Sequence, residues 1–134
     1  MKHLRLMKMK VKITFLVVQV AKKIHFTDPN HFKILLDANE KIPSQYMSTK
    51  DEEETLRDIA EKNLNIDFDW MYPKVCGFKR LSQQECEVVY LSVLPPIDKS
   101  AKSGFFIPQG DLEKYKIKID PYHARLLSER SRGF

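Results

Sequence analysis

A chain of 134 residues has room for one hydrophobic core and not for two. Its 43% hydrophobic and 31% charged residues are ordinary for a globular protein, and no stretch approaches the roughly 18 apolar residues of a membrane span. The net charge of +5 is unevenly spread: residues 1–12 hold five basic side chains and no acid, residues 13–98 hold ten basic and fourteen acidic, and residues 99–134 hold eight basic and four acidic. Basic ends around an acidic middle suit a nucleic-acid or acidic protein surface, or simply a solvated fringe.

The first strand is predicted over residues 9–21. Lys8, Lys10 and Lys12 alternate with Met7, Met9, Val11 and Ile13, and Val17-Val18 then signals burial on both faces. The three lysines share one strand face at roughly 6.5–7 Å spacing, close to successive phosphates of a single nucleic-acid strand. On the wet face of an edge strand the same lysines would deter aggregation. The apolar run 13–18 is too short for a secretory leader, Gln19 interrupts it, and no small-x-small site follows.

Thr27-Asp28-Pro29-Asn30 composes a turn, and residues 31–38 read as a second strand, antiparallel to the first. A loop around Pro43 follows over residues 39–48. Thr49 and Glu52 then match a capping box, and Asp51 to Glu54 load the first helical turn with negative charge, which predicts a helix to Asn63. Its apolar stripe is Leu56, Ile59, Ala60 and Leu64, and its polar face is Glu54, Arg57, Asp58, Glu61 and Lys62.

Two strands, 72–81 and 85–94, are joined by Ser82-Gln83-Gln84. Trp70, Tyr72 and Phe78 in this region are able to stack on a base, although core packing is the more frequent use of such aromatics. A polar loop over 98–103, a short strand over 104–108 and one helical turn over 111–115 come next. A terminal helix is predicted over 120–130, with Tyr122, Ala124, Leu126 and Leu127 apolar. His3, His25, His31 and His123 show no ligand spacing and are expected on the surface or in loops, His123 being the one placed for a role in a site. Cys76 and Cys86 lack metal-ligand spacing, which predicts two buried free thiols and a cytoplasmic setting. No phosphate-binding glycine loop or nucleophile elbow is present. Residues 1–134 read as one domain, with 1–8 a basic extension and 131–134 a tail.

This order of elements resembles the Nudix superfamily. Residues 57–66, Arg-Asp-Ile-Ala-Glu-Lys-Asn-Leu-Asn-Ile, look like the end of the family's box, and Ile42-Pro43-Ser44 resembles the segment that precedes it. Phe106-Ile107-Pro108 followed by Asp111-Leu112, and Asp120-Pro121-Tyr122-His123 leading into a helix, match later features of the family. The resemblance implies an α/β (α+β) fold: an α-β-α sandwich with a mixed sheet, an acidic-faced central helix and a C-terminal helix. In active members that helix holds Mg²⁺ or Mn²⁺ against a diphosphate and activates a water. It places Arg57, Asp58 and Glu61 in catalytic positions, while Glu54, Asp58 and Glu61 at i, i+4 and i+7 offer a re-registered metal set. A solvated face balanced by Arg57 and Lys62 is the commoner use of such a pattern.

Departures from the box bear on activity. Lys62 occupies a position where the family has a metal ligand, and an ammonium there repels a divalent cation. Counting back from Arg57 places Pro43 and Thr49 where the box has its first Gly and a Glu, and the interval is about two residues short. Asn65 replaces the last box glycine, a tolerable change because Asn also visits left-handed backbone angles. The sequence therefore predicts a Nudix-fold binding or assembly module without pyrophosphohydrolase activity or cofactor, acting in a nucleic-acid or larger protein complex. Its expected contacts are Lys8, Lys10, Lys12, Lys62, Trp70 and Tyr72. The alternatives are an active divergent hydrolase using Mg²⁺ or Mn²⁺ on a nucleoside-diphosphate derivative or capped RNA, and a nucleic-acid binder working by charge alone.

Overall fold

Strand β1 (Lys10–Val20) organises the sheet. Its residues from Ile13 to Gln19 are all buried, as a strand with β-branched and apolar side chains on both faces requires. The computed structural model describes residues 9–20, 31–48, 51–95, 105–108 and 119–130. Along one edge β1 pairs in parallel with β5 (Glu85–Leu94), from Lys10 opposite Glu85 to Gln19 opposite Leu94. Along its other edge it pairs antiparallel with β3 (Ser44–Tyr46) at its start and with β2 (His31–Ile34) at its end. The full order is β4-β5-β1-β2-β6, with β4 (Lys74–Ser82) antiparallel to β5 and β6 (Phe105–Pro108) antiparallel to β2. The sheet is mixed, and β1 lies inside it. The edge-strand explanation of Lys12 is thereby overturned, because β1 carries partners on both sides there, Glu87 of β5 and Tyr46 of β3.

Alternation along β1 sorts the core into two layers. Ile13, Phe15 and Val17 pack with Leu56, Ile59, Ala60 and Leu64 of the central helix, together with Phe68, Met71 and Tyr90. Leu16 and Val18 pack with Ile34, Leu36 and Val89 and with Ala124, Leu126 and Leu127 of the terminal helix. The helices therefore cover opposite faces, which is the expected α-β-α sandwich.

Local chemistry accounts for most departures from the predicted boundaries. The second strand ends at Ile34 rather than residue 38: Asp37 accepts backbone N–H groups from Asn39 (2.8 Å) and Lys41 (3.0 Å), and Glu40 adopts φ 60°. Part of the expected 39–48 loop is strand β3, whose three residues are exposed and therefore carry no apolar signal. Helix α1 (Glu52–Asp58) is capped by Asp51, whose carboxylate accepts the Glu54 N–H at 2.8 Å; Thr49, the expected cap, lies outside the described residues. After Asp58 the helix widens into a π-turn over Ile59–Asn63, with the Leu64 N–H donating to Ile59 O at 3.2 Å. Asn65 closes it at φ 56°, the left-handed conformation expected of the residue in the glycine's place. A short 3₁₀ turn, Phe68–Trp70, leads into β4.

Helix α2 (Pro121–Arg130) begins on Asp120, whose carboxylate accepts the Tyr122 N–H at 2.8 Å, with Pro121 in the first position. Ala124, Leu126 and Leu127 are buried as predicted, whereas Tyr122 is half-buried and His123 is buried rather than on the surface. Cys86 is buried, Cys76 is half-buried, and both are free. Among the described residues no helix is long and apolar enough to cross a membrane. The turn at 27–30, the helical turn at 111–115 and Lys8 lie outside the described residues.

Candidate functional site

The outer face of α1 and its π-turn carries the side chains that the box pattern singles out. Apolar spacing turns Leu56, Ile59, Ala60 and Leu64 into the sheet and leaves Arg57, Asp58, Glu61 and Lys62 toward solvent. Arg57 reaches two carboxylates, Glu61 Oε1 at 3.2 Å and Asp69 Oδ1 at 3.2 Å, and its guanidinium lies 4.9 Å from the centre of the Phe68 ring. The Asp69 hydrogen bond, with Glu61 behind it, raises the Arg57 pKa above its ordinary value. Lys62 Nζ stands 3.8 Å from Asp58 Oδ1. Two of the three carboxylates that could share a metal thus have a cation of the chain beside them. Glu54 lies exposed on the first turn. Among the described residues no group of three or more His, Cys, Asp or Glu is arranged to hold a metal ion. As placed, these side chains do not fit a Mg²⁺ or Mn²⁺ site of the hydrolase kind, which draws several oxygen ligands onto one point.

Beside the start of α1 lies an open cleft of about 760 Å³. Leu56, Phe68 and Met71 form its apolar floor, Met47, Tyr72 and Pro73 wall it, and Asp51, Glu52, Glu53 and Lys74 supply its charges. Tyr72 is 82% exposed there. The Tyr90 hydroxyl, also on the cleft, donates to the Glu52 carboxylate; burial, and then the Glu52 bond and charge, push its pKa well up.

The opposite face holds a buried polar cluster. Glu87 Oε2 accepts the Thr14 hydroxyl at 2.5 Å and lies 2.9 Å from His123 Nε2. Burial opposes the Glu87 charge, but the hydrogen bonds from His123 and Thr14, and the charges of His123 and Lys12, hold its carboxyl below the ordinary range. Lys12 stands opposite Glu87 in the β1–β5 register, so its charge serves an internal carboxylate.

Most of the residues singled out from the sequence fall in three places. Arg57, Asp58, Glu61 and Lys62 share the outer helix face, Tyr72 lines the cleft, and Lys12 belongs to the Glu87 cluster. Lys10 is exposed at the beginning of β1, and Trp70 sits in the 3₁₀ turn. Sequence reasoning passed over Asp51, Glu52 and Glu53 as cleft residues, since they read only as helix-start acids. It also passed over Glu87, although a charge inside Cys86-Glu87-Val88-Val89 was a usable signal, because buried carboxylates need partners.

The sequence matches no family model and no curated protein. Among solved structures, that of a MutT/Nudix family protein from Listeria innocua superposes with a TM-score of 0.58 over 91% of this chain and 92% of that one, at 11% identity. The fold is Nudix-like. A Sinorhizobium meliloti protein aligns with 96% of this chain and 40% of its own, at TM-score 0.49 and 12% identity. At such identities the likeness concerns the Nudix-like fold alone, and the chemistry has to be read from the side chains above.

Proposed function

We propose that this chain is a Nudix-fold binding or assembly module that does not hydrolyse pyrophosphates and that works within a larger nucleic-acid or protein complex in the cytoplasm. One observation carries the reading. The helix carboxylates meet cations belonging to the chain itself, Lys62 beside Asp58 and Arg57 across Glu61 and Asp69. A divalent metal at this face would have to displace or repel those cations before drawing its ligands together. The binding part of the reading is supported by the open cleft and by the exposed ring of Tyr72 on its wall.

The test is release of phosphate or nucleoside monophosphate from nucleoside-diphosphate derivatives and capped RNA, with Mg²⁺ or Mn²⁺ supplied. The expected result is no turnover and no rise in Tm at millimolar metal, since a ligand that binds the folded state stabilises it. Robust turnover abolished by Glu61→Gln would establish the divergent hydrolase instead.

A further inference from the structure

We propose that the cleft at the start of α1 is a docking groove for a basic, apolar segment of a partner protein. Such a segment lays aliphatic side chains on Leu56, Phe68 and Met71 and presents Lys or Arg to Asp51, Glu52 and Glu53. This rests on the binding-module reading and names the partner's chemistry.

Charge selects the occupant. Among the described residues the lining holds three carboxylates and one ammonium, Lys74, so their field favours a cation and opposes a phosphate backbone. Two of the acids are already positioned by other bonds: Asp51 caps the Glu54 N–H, and the Tyr90 hydroxyl holds Glu52. Preorganised carboxylates lose little freedom when a cation arrives. The Tyr72 ring, 82% exposed on the same wall, offers its face to a guanidinium or ammonium. An open cleft of about 760 Å³ has room for several side chains of one extended segment. A purely apolar partner would desolvate the three acids and bring no countercharge to them.

The probe is a short labelled peptide alternating leucine with lysine and arginine, titrated into the full chain by fluorescence anisotropy. A copy with glutamate at the basic positions and an oligouridine RNA serve as competitors. Methionine-methyl NMR locates the binding, because Met47 and Met71 both line the cleft. The basic peptide should bind, shift both methyl signals and weaken as salt rises. The double variant Glu52→Gln, Glu53→Gln should lose about tenfold in affinity. Tyr72→Ala, which removes an exposed ring, should weaken binding severalfold without lowering Tm, and Arg125→Gln on the other face should leave it unchanged. Equal binding of the glutamate peptide, unmoved methyl signals, or oligouridine shifting those methyls would overturn the groove. Phosphate release is followed in parallel: turnover overturns the non-hydrolytic reading whatever the peptide does, while absence of both turnover and peptide binding overturns the groove alone.

Discussion

On the α1 side of the sheet, Arg57 joins Glu61 and Asp69 with its own side chain 41% exposed. On the α2 side, Glu87 meets His123 and Thr14 with side-chain exposures of 5% for Glu87 and 11% for His123. The partners are similar in kind, but water sets their worth. Exposed pairs are screened and contribute from nothing to roughly 1 kcal/mol. A buried carboxylate has given up its hydration, so each hydrogen bond to it becomes obligatory. The first arrangement balances charge on a solvated surface. The second ties α2 to β1 and β5.

The largest expected effect is at the buried cluster. Glu87→Ala strands the Thr14 hydroxyl and the His123 ring, and should cost about 3 kcal/mol or more in urea unfolding. A loss no larger than that of an exposed pair would remove the distinction between the faces. Gly77→Ala should follow on the same side. An added Cβ there would stand 2.6 Å from Leu126 Cδ1 and 2.7 Å from the Tyr122 hydroxyl, an overpacking cost of roughly 1–3 kcal/mol readable as a fall in Tm.

Acid titration sharpens the comparison. The folded state holds Glu87 below its ordinary value of 4.5, so on acidification the unfolded chain takes up that proton first. The contribution is complete above that value and is lost as pH falls through the folded one. The acid limb of stability against pH should therefore flatten in Glu87→Gln, measured from urea midpoints down through the glutamate range. The smallest effect belongs to Arg57→Ala. It should lower the urea midpoint least of these variants, and less still in salt, because both of its ion pairs face water.

Much of the architecture was legible beforehand because it rests on periodicity. The stripe Leu56, Ile59, Ala60 and Leu64, the two-sided burial of β1 and the apolar face of α2 are local patterns with one efficient solution. Strand β3 was illegible because Ser44, Gln45 and Tyr46 are exposed and held by backbone pairing to β1, which leaves no mark on side-chain type. The π-turn was equally hidden: Ile59–Asn63 reads as ordinary helix until the Leu64 N–H is seen to reach back five residues. Of the candidate site, the charge mismatch at Lys62 and its i,i+4 spacing from Asp58 were apparent, but the reach of Arg57 to Asp69 depended on the tertiary structure.

Residue order alone settled strands β1, β2, β4, β5 and β6, the two helices, their order and the two apolar stripes, since hydrophobic spacing and backbone chemistry act within a few neighbours. Placement of β1 inside the sheet, the meeting of Thr14, Glu87 and His123, and the gathering of Met47, Tyr72 and Glu52 around one cleft came from three-dimensional packing. Those contacts join residues far apart along the chain, and their strength depends on how much water the surrounding layers exclude.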